Sequence, residues 1–335
     1  MRKGICVAGN MTADILYPTE GWPNQGELVH VLDGISYSAG GAVVNVAVDL
    51  AKLDPELPVF AMGRNGLDAH GDLIMEMLGR QRNIDVSNIV REGVSAFTSV
   101  MFDIRSKQRT FFTHLGANGR FCEADIDWDR VTADIFHIGY ILLLNALDMP
   151  DAEYGSKMAR LLHSAQGHGL KTSIDVVSEA GDRFKRLVPP AMKYTDYCVI
   201  NEYEAEQTTG IPLRDEIGAL IEVNLPDALS AMKRMGVSTW AVIHCPEGGW
   251  GLDEAGRLVH ASSLNLPKDY IQGSVGAGDA FCAGVLLGAE KGYPLERAID
   301  LGNAAAAASL SAPGATEGLC TEAEAMKLIE KYGRR

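Results

Sequence analysis

One stretch constrains this chain more than any other: Gly273-Ser274-Val275-Gly276-Ala277-Gly278-Asp279-Ala280-Phe281. Three glycines and an alanine fall within seven positions that end on an Asp, and the apolar run 282–289 follows without a proline. The pattern reads as a glycine-rich turn opening a buried helix. Without β-carbons the backbone approaches a ligand closely, and the first N–H groups of a helix have no internal partners. Such a turn suits an anion, phosphate above all. Asp279 stands where those N–H groups converge and can take a proton from a nucleophile approaching the phosphate. The plainer reading is a tight turn whose Asp caps a helix. The rest of the chain decides between the two.

Upstream, short apolar runs alternate with helix-like segments. Residues 5–9 read as a buried strand that ends in the polar stretch 10–14. Asp14 either faces a ligand beyond the strand's carboxyl end, where ligands sit in open α/β sheets, or closes an Asx turn. Gly40-Gly41 opens a mostly apolar helix to Leu53, with Asn45 in or just after its first turn. A buried amide there must bond its own backbone or reach a bound polyol. A strand is expected over 59–62, a turn over 63–71 and a helix to Arg82. Residues 97–104 and 109–114 read as a hairpin outside the main sheet. With the mixed segment 15–37 it makes a small β lid, or else an edge extension that only covers core. Strands are expected at 134–138, 171–176, 196–200 and 239–244, and an antiparallel pair at 250–252 and 258–260. Helices are expected over 151–166 and 225–235, after Asn201, around Asn303, and from Thr321 as cap. This rhythm predicts an α/β fold with a parallel sheet. The main domain covers 1–14, 38–95 and 118–335, and the lid 15–37 and 96–117.

Charge and cysteine usage remove several function classes. A net charge of −14 over 335 residues argues against nucleic acid or an anionic membrane as partner, since both need basic patches. Phosphates must then be met by backbone N–H groups, a metal ion and a few local cations. The six cysteines are scattered with no C-x-x-C pair, which favours reduced thiols in the cytoplasm over disulfides or zinc. No apolar run reaches membrane-spanning length. The opening Arg2-Lys3 and its apolar run meet Asn10 and Asp14 too soon for a signal peptide.

A dinucleotide fingerprint is missing from the first strand-to-helix turn, and Gly-Lys occurs nowhere, which excludes the Walker P-loop. Three other motifs appear in order: Gly-Gly-Ala-x-x-Asn-Val-Ala at 40–47, Asn201-x-x-Glu204, and Gly-Ala-Gly-Asp-Ala-Phe at 276–281. With Asp14 and the turn at 63–71, they make the chain resemble the ribokinase-like (PfkB) carbohydrate kinases from about residue 5 to about 315. The resemblance implies a three-layer α/β/α domain with a mostly parallel central sheet and a small β-sheet lid. It implies transfer of the γ-phosphoryl group of ATP to a hydroxyl of a small sugar or sugar acid. Asp279 would be the base, and Gly276, Ala277 and Gly278 the anion hole. Asp14, Gly41 and Asn45 would bind sugar hydroxyls, with Asn118 approaching from the lid side. Asn201 and Glu204 would organise Mg²⁺, partly through water, and the nucleotide phosphates; His244, Gly249, Ser274 and Asn303 would border the nucleotide. A lid with open strand edges also fits a homodimer paired through the lids.

Three departures from the family pattern carry weight. Gly273 stands where the family often has an acidic residue that helps hold a monovalent cation, which argues against potassium activation. The loop 244–249 replaces the usual Thr-Leu-Gly-x-x-Gly, so nucleotide geometry or preference differs. Gly139-Tyr140 replaces a sugar-binding carboxylate, so a sugar would not be bound in the ribokinase manner. Arg64, Arg105 and Arg109 either meet a substrate carboxylate or phosphate or are solvated loop charges. Two alternatives stand beside the sugar kinase. One is a nucleoside kinase, with Phe97, Phe102 and Phe112 as stacking rings or as lid core. The other is a catalytically silent sugar- or nucleotide-binding relative, against which the retained Asp279 argues.

Overall fold

Strands that are apolar on both sides need cover on both sides, and helices supply it here. The computed structural model describes residues 3–178 and 181–335; Arg2 of the opening basic pair lies outside them. In chain order the strands are β1 (Ile5–Gly9), β2 (Thr12–Thr19), β3 (Ser36–Gly40), β4 (Val59–Asn65), β5 (Ile84–Arg91), β6 (Phe97–Asp103), β7 (Arg109–His114) and β8 (Ile135–Ile141). They continue with β9 (Pro150–Asp151), β10 (Gly155–Ser156), β11 (Lys171–Val176), β12 (Tyr197–Asn201), β13 (Trp240–Cys245), β14 (Gly248–Leu252) and β15 (Leu258–Ser262). The helices are α1 (Gly41–Leu53), α2 (Ala69–Gly79), α3 (Lys157–Gly167), α4 (Phe184–Met192), α5 (Glu202–Thr209), α6 (Leu225–Met235), α7 (Ala277–Glu290), α8 (Leu295–Ser309) and α9 (Glu322–Tyr332).

Among the described residues the main sheet has nine strands in the order β15-β14-β13-β12-β11-β8-β1-β4-β5. From β13 to β5 every neighbour is parallel; β14 and β15 add an antiparallel edge. Alternation along the strands divides the core. Ile5 and Val7 face a layer with α1, α2, α7 and α8, whereas Cys6 and Ala8 face α3 to α6. The lid is a second sheet, β3-β2-β6-β7. Among the described residues no helix is long and apolar enough to cross a membrane.

The structure moves several expected boundaries. β2 begins at Thr12 and β3 ends at Gly40, so Asp14 and the first glycine of the 40–47 motif belong to lid strands rather than to the main body. The helix expected from 151 begins at Lys157, because β9 and β10 form a short hairpin and Ser156 Oγ caps the helix by accepting from Ala159 N–H. β5 and α4 were not expected. Prolines 189 and 190 hide α4, since proline removes a helix N–H, yet Phe184, Leu187, Val188 and Ala191 are all buried on its inner face.

Candidate active site

The glycine-rich loop ends where the sequence predicts. Gly276 caps α7 with φ +78°, and a β-carbon there would lie 2.6 Å from the Ala315 carbonyl oxygen. Only glycine combines that backbone with that approach. Ala277 and Gly278 form the first positions of α7, whose leading N–H groups lack helical partners. A side chain on Gly278 would crowd the His244 ring, at 3.2 Å from Cε1. Ser274 is exposed, and its carbonyl accepts from Ala277 N–H at 3.4 Å, closing the turn.

Asp279 follows as a buried carboxylate with both oxygens engaged. Tyr140 Oη donates to Oδ1 at 2.7 Å and to Oδ2 at 2.9 Å, and Asn45 Nδ2 donates to Oδ2 at 2.8 Å. Burial raises the Asp279 pKa, and these two donors pull it back. Asn45 comes from α1, which Gly41 starts directly after β3 by taking φ +84°. A β-carbon on Gly40 would lie 2.8 Å from Asp14 Oδ2 and 3.8 Å from Asn45 Oδ1, so this glycine lets the two side chains converge. Burial pushes Asp14 up to about 6 against the hydrogen bond from Thr98. Strand register puts Ser38, Asp14, Thr98 and Thr113 in one row across the lid, on the face towards Asn45. Asn118 does not join them. It is fully buried, its Nδ2 donates to the Met11 carbonyl at 2.8 Å and its Oδ1 accepts from Met11 N–H, so it pins the chain leading into β2.

On the other side of Asp279 a cleft of about 280 Å³ is lined by Tyr140, Asp175, Ser178, Asn201, Glu204, His244, Gly276 and Gly278. Its far wall is a helix start. Asn201 caps α5 by accepting from Glu204 N–H at 2.9 Å, and Glu204 Oε2 accepts from Asn201 N–H at 3.0 Å. Asn201 Nδ2 and Ser178 Oγ both donate to Glu204 Oε1, at 2.8 and 2.7 Å. Burial pushes Glu204 up to about 7 and Asp175 well above the carboxylate range, the latter also because Glu204 and Asp279 are close. His244, stacked on Phe281 at 4.8 Å, is lowered to about 4 by burial and is neutral.

Two residues expected at the nucleotide do not line this cleft. Gly249 packs beneath Phe281 and Ile299, where a β-carbon would come within 2.7 Å of each. Asn303 is buried and its Nδ2 donates to the Ala261 carbonyl at 2.9 Å, tying α8 to β15. In their place the structure brings in Tyr140, Asp175 and Ser178. Tyr140 and Asp175 lie near the carboxyl ends of β8 and β11, so the strand-end rule applied to every strand would have flagged both.

Comparisons with known proteins bear on the family and the fold. The ribokinase of Arabidopsis thaliana is 24% identical over 334 residues, covering 97% of this chain and 81% of that protein. The adenosine kinase of Schizosaccharomyces pombe is 25% identical over 286 residues, 80% of this chain and 78% of that protein. The structure of the Arabidopsis thaliana ribokinase complexed with ribose and ATP superposes with a TM-score of 0.79 at 22% identity, covering 98% of this chain and 99% of that one. Residues 2–322 match the model of the pfkB family carbohydrate kinases. The chain therefore belongs to the PfkB family of carbohydrate kinases, phosphotransferases that use an alcohol group as acceptor.

Proposed function

We propose that this protein transfers the γ-phosphoryl group of ATP to a hydroxyl of a small neutral sugar. One observation carries the reading: a buried carboxylate, Asp279, is aimed by Tyr140 and Asn45 at the start of a glycine-opened helix, between the Asp14 side and the Asn201–Glu204 side. A sugar held at Asp14 and Asn45 gives its hydroxyl proton to Asp279 while its oxygen forms the new bond to phosphorus and the bond to the ADP oxygen breaks. Such a base contributes about 10²–10⁴ in rate. The first N–H groups of α7 stabilise the charge on the transferring phosphoryl group.

The residues present suit magnesium. Asp175, Glu204 and Asn201 offer oxygen donors, and no lysine or arginine is among the described residues lining the cleft. Mg²⁺ held there, partly through water, supplies neutralisation of phosphate charge. Gly273 lies against the Ala312 and Pro313 carbonyl oxygens and adds no carboxylate to them, so activity is expected without potassium.

A neutral sugar is favoured over a sugar acid because two of the three candidate arginines are paired with carboxylates and none lines the described cleft. Arg64 binds Asp125 and Glu92, Arg105 binds Glu20, and Arg109 lies over the Phe102 ring. A nucleoside is the second reading, supported by lid register. Leu16, Val100 and Phe111 form an apolar row next to the Asp14 row on the same face, with Phe111 61% exposed. Phe97 packs between His70 and His114, and Phe112 stacks on Trp22, both on the opposite face. The uncovered Trp22, Tyr37 and Phe112 and the open edges of β3 and β7 support a homodimer through the lids, checked by sedimentation. The reduced-thiol reading supports a cytoplasmic enzyme.

The test is an ADP-release assay over neutral sugars, sugar acids and nucleosides, with wild type and Asp279→Asn. Turnover of a neutral sugar that the variant loses supports the first reading; preference for a nucleoside decides for the second. ATP binding without turnover of any acceptor would sink both in favour of a silent relative.

A further inference from the structure

Asp49 of α1 has no solvent exposure, and among the described residues neither of its oxygens meets a hydrogen-bond partner. An unpaired buried charge costs far more than a buried neutral acid, so such a group keeps its proton. One turn earlier on the same helix stands Asn45, whose Nδ2 donates to Asp279 while its own Oδ1 is buried without a partner among the described residues. The two deficits are complementary. A neutral carboxyl has one O–H to give, the amide oxygen has no donor, and residues four apart share a helix face.

We propose that Asp49, as the neutral acid, donates to Asn45 Oδ1, directly or through one water, and so fixes the amide with Nδ2 on Asp279. The proposal rests on the reading of Asp279 as the base. An amide is nearly symmetric in shape, and a flipped Asn45 would set its oxygen against the Asp279 carboxylate. Asp49 is thus a positioning residue that acts through Asn45.

The surroundings keep the proton on Asp49. Burial and the Asp279 charge both raise its pKa; Lys52 lowers it, but Lys52 Nζ is engaged on the Thr316 carbonyl at 2.6 Å. α1 packs on α7, β1, β3, β4, β5, β8 and α2. From these elements Cys6, His137, Tyr140 and Cys282 are held neutral by burial, and Glu290 accepts from Gly4 N–H. Arg64 is bound by Asp125 and Glu92, Arg91 by Asp72, and His70 packs on Phe97. Tyr37, Asp85, Asp72 and Glu76 are exposed.

The experiment compares wild type, Asp49→Leu and Asp49→Asn. Asp49→Leu is expected to lower kcat about tenfold, the effect of one lost hydrogen bond, with KM for ATP within about twofold. Asp49→Asn still has an N–H to donate and restores most of kcat. In the wild type an ionised Asp49 loses its donor, so kcat falls earlier on the alkaline side than in Asp49→Asn. A raised carboxyl pKa also withholds stability as pH climbs past the ordinary carboxylate range, so the Tm advantage of Asp49→Asn grows from about pH 4 to about pH 8. An unchanged kcat in a folded Asp49→Leu overturns the proposal. So does an Asn variant as poor as the Leu variant, superimposed alkaline limbs, or a Tm difference flat with pH. If Asp49→Leu fails to fold, the Asn arms still decide. A wild type that turns over no acceptor sinks the kinase reading instead, and the Tm comparison still decides whether Asp49 is neutral.

Discussion

The two sides of the cleft are built in opposite ways. The Asn201 side is assembled from neighbours in sequence: a cap and the residue three positions on satisfy each other, with Ser178 added. The Asp279 side is assembled from β2, α1, β8 and α7, and Asn45 meets Asp279 across 234 residues of chain. A local capping box forms with the helix itself and keeps its geometry in any fold that keeps the helix. A convergence of four elements exists only when the whole core is packed. On the proposed reading, the demanding alignment, proton acceptor against attacking hydroxyl, is carried by the part of the site that the global fold holds rigid.

Substitutions on the Asp279 side should then cost turnover, and those on the Asn201 side should cost binding and stability. The largest expected effect is that of Asp279→Asn, a fall in kcat of about 10²–10⁴ with Tm unchanged or higher, because a buried charge is removed. Steady-state rates and a thermal melt check it; a loss below tenfold would break the comparison at its strongest point. Next comes Gly276→Ala. It places a β-carbon at φ +78° beside the Ala315 carbonyl, storing about 1–3 kcal/mol of strain and displacing the first N–H groups of α7, the proposed anion hole. A kcat loss of about 10² is expected, with KM for ATP also raised. Tyr140→Phe is milder, about tenfold in kcat. Tyr140 lowers the Asp279 pKa by donating to it, so its removal raises that pKa. As the proposed base, Asp279 must be ionised to act, so the acid limb of the pH–rate profile moves to higher pH. A limb that stays in place would show that Tyr140 does not bear on Asp279.

The same contrast explains what could be read in advance. The Gly276–Asp279 turn and the Asn201–Glu204 pair are local patterns, and both were legible. The lid hairpin was legible because β-formers flank a polar turn at 105–108. Tyr140 was legible only as a departure at a strand end, standing where the family has a sugar-binding carboxylate; its bond to Asp279 appears only when β8 is laid beside α7. Asn118 and Asn303 stay ambiguous in the sequence for the matching reason. Each is a buried amide, and a buried amide must be satisfied, but sequence does not say whether by ligand or by backbone. Here Met11 and Ala261 provide the partners.

The smallest expected effect sharpens the comparison from the other side. Asn201→Ala removes the α5 cap and one donor to Glu204, while the backbone N–H of residue 201 can still bond Glu204 Oε2. Loss of an N-cap costs about 1 kcal/mol, which a thermal melt resolves as a small drop in Tm. Glu204 keeps Ser178 and the backbone donor, so it stays near its place but is held less firmly. We expect KM for ATP to rise about threefold and kcat to change less than about twofold, because the loss falls on binding shared by ground state and transition state. If kcat instead fell as far as in Tyr140→Phe, Asn201 would belong to the alignment of the reacting atoms. Turnover would then depend on both sides of the cleft, and the split between a locally built binding side and a globally built chemical side would fail.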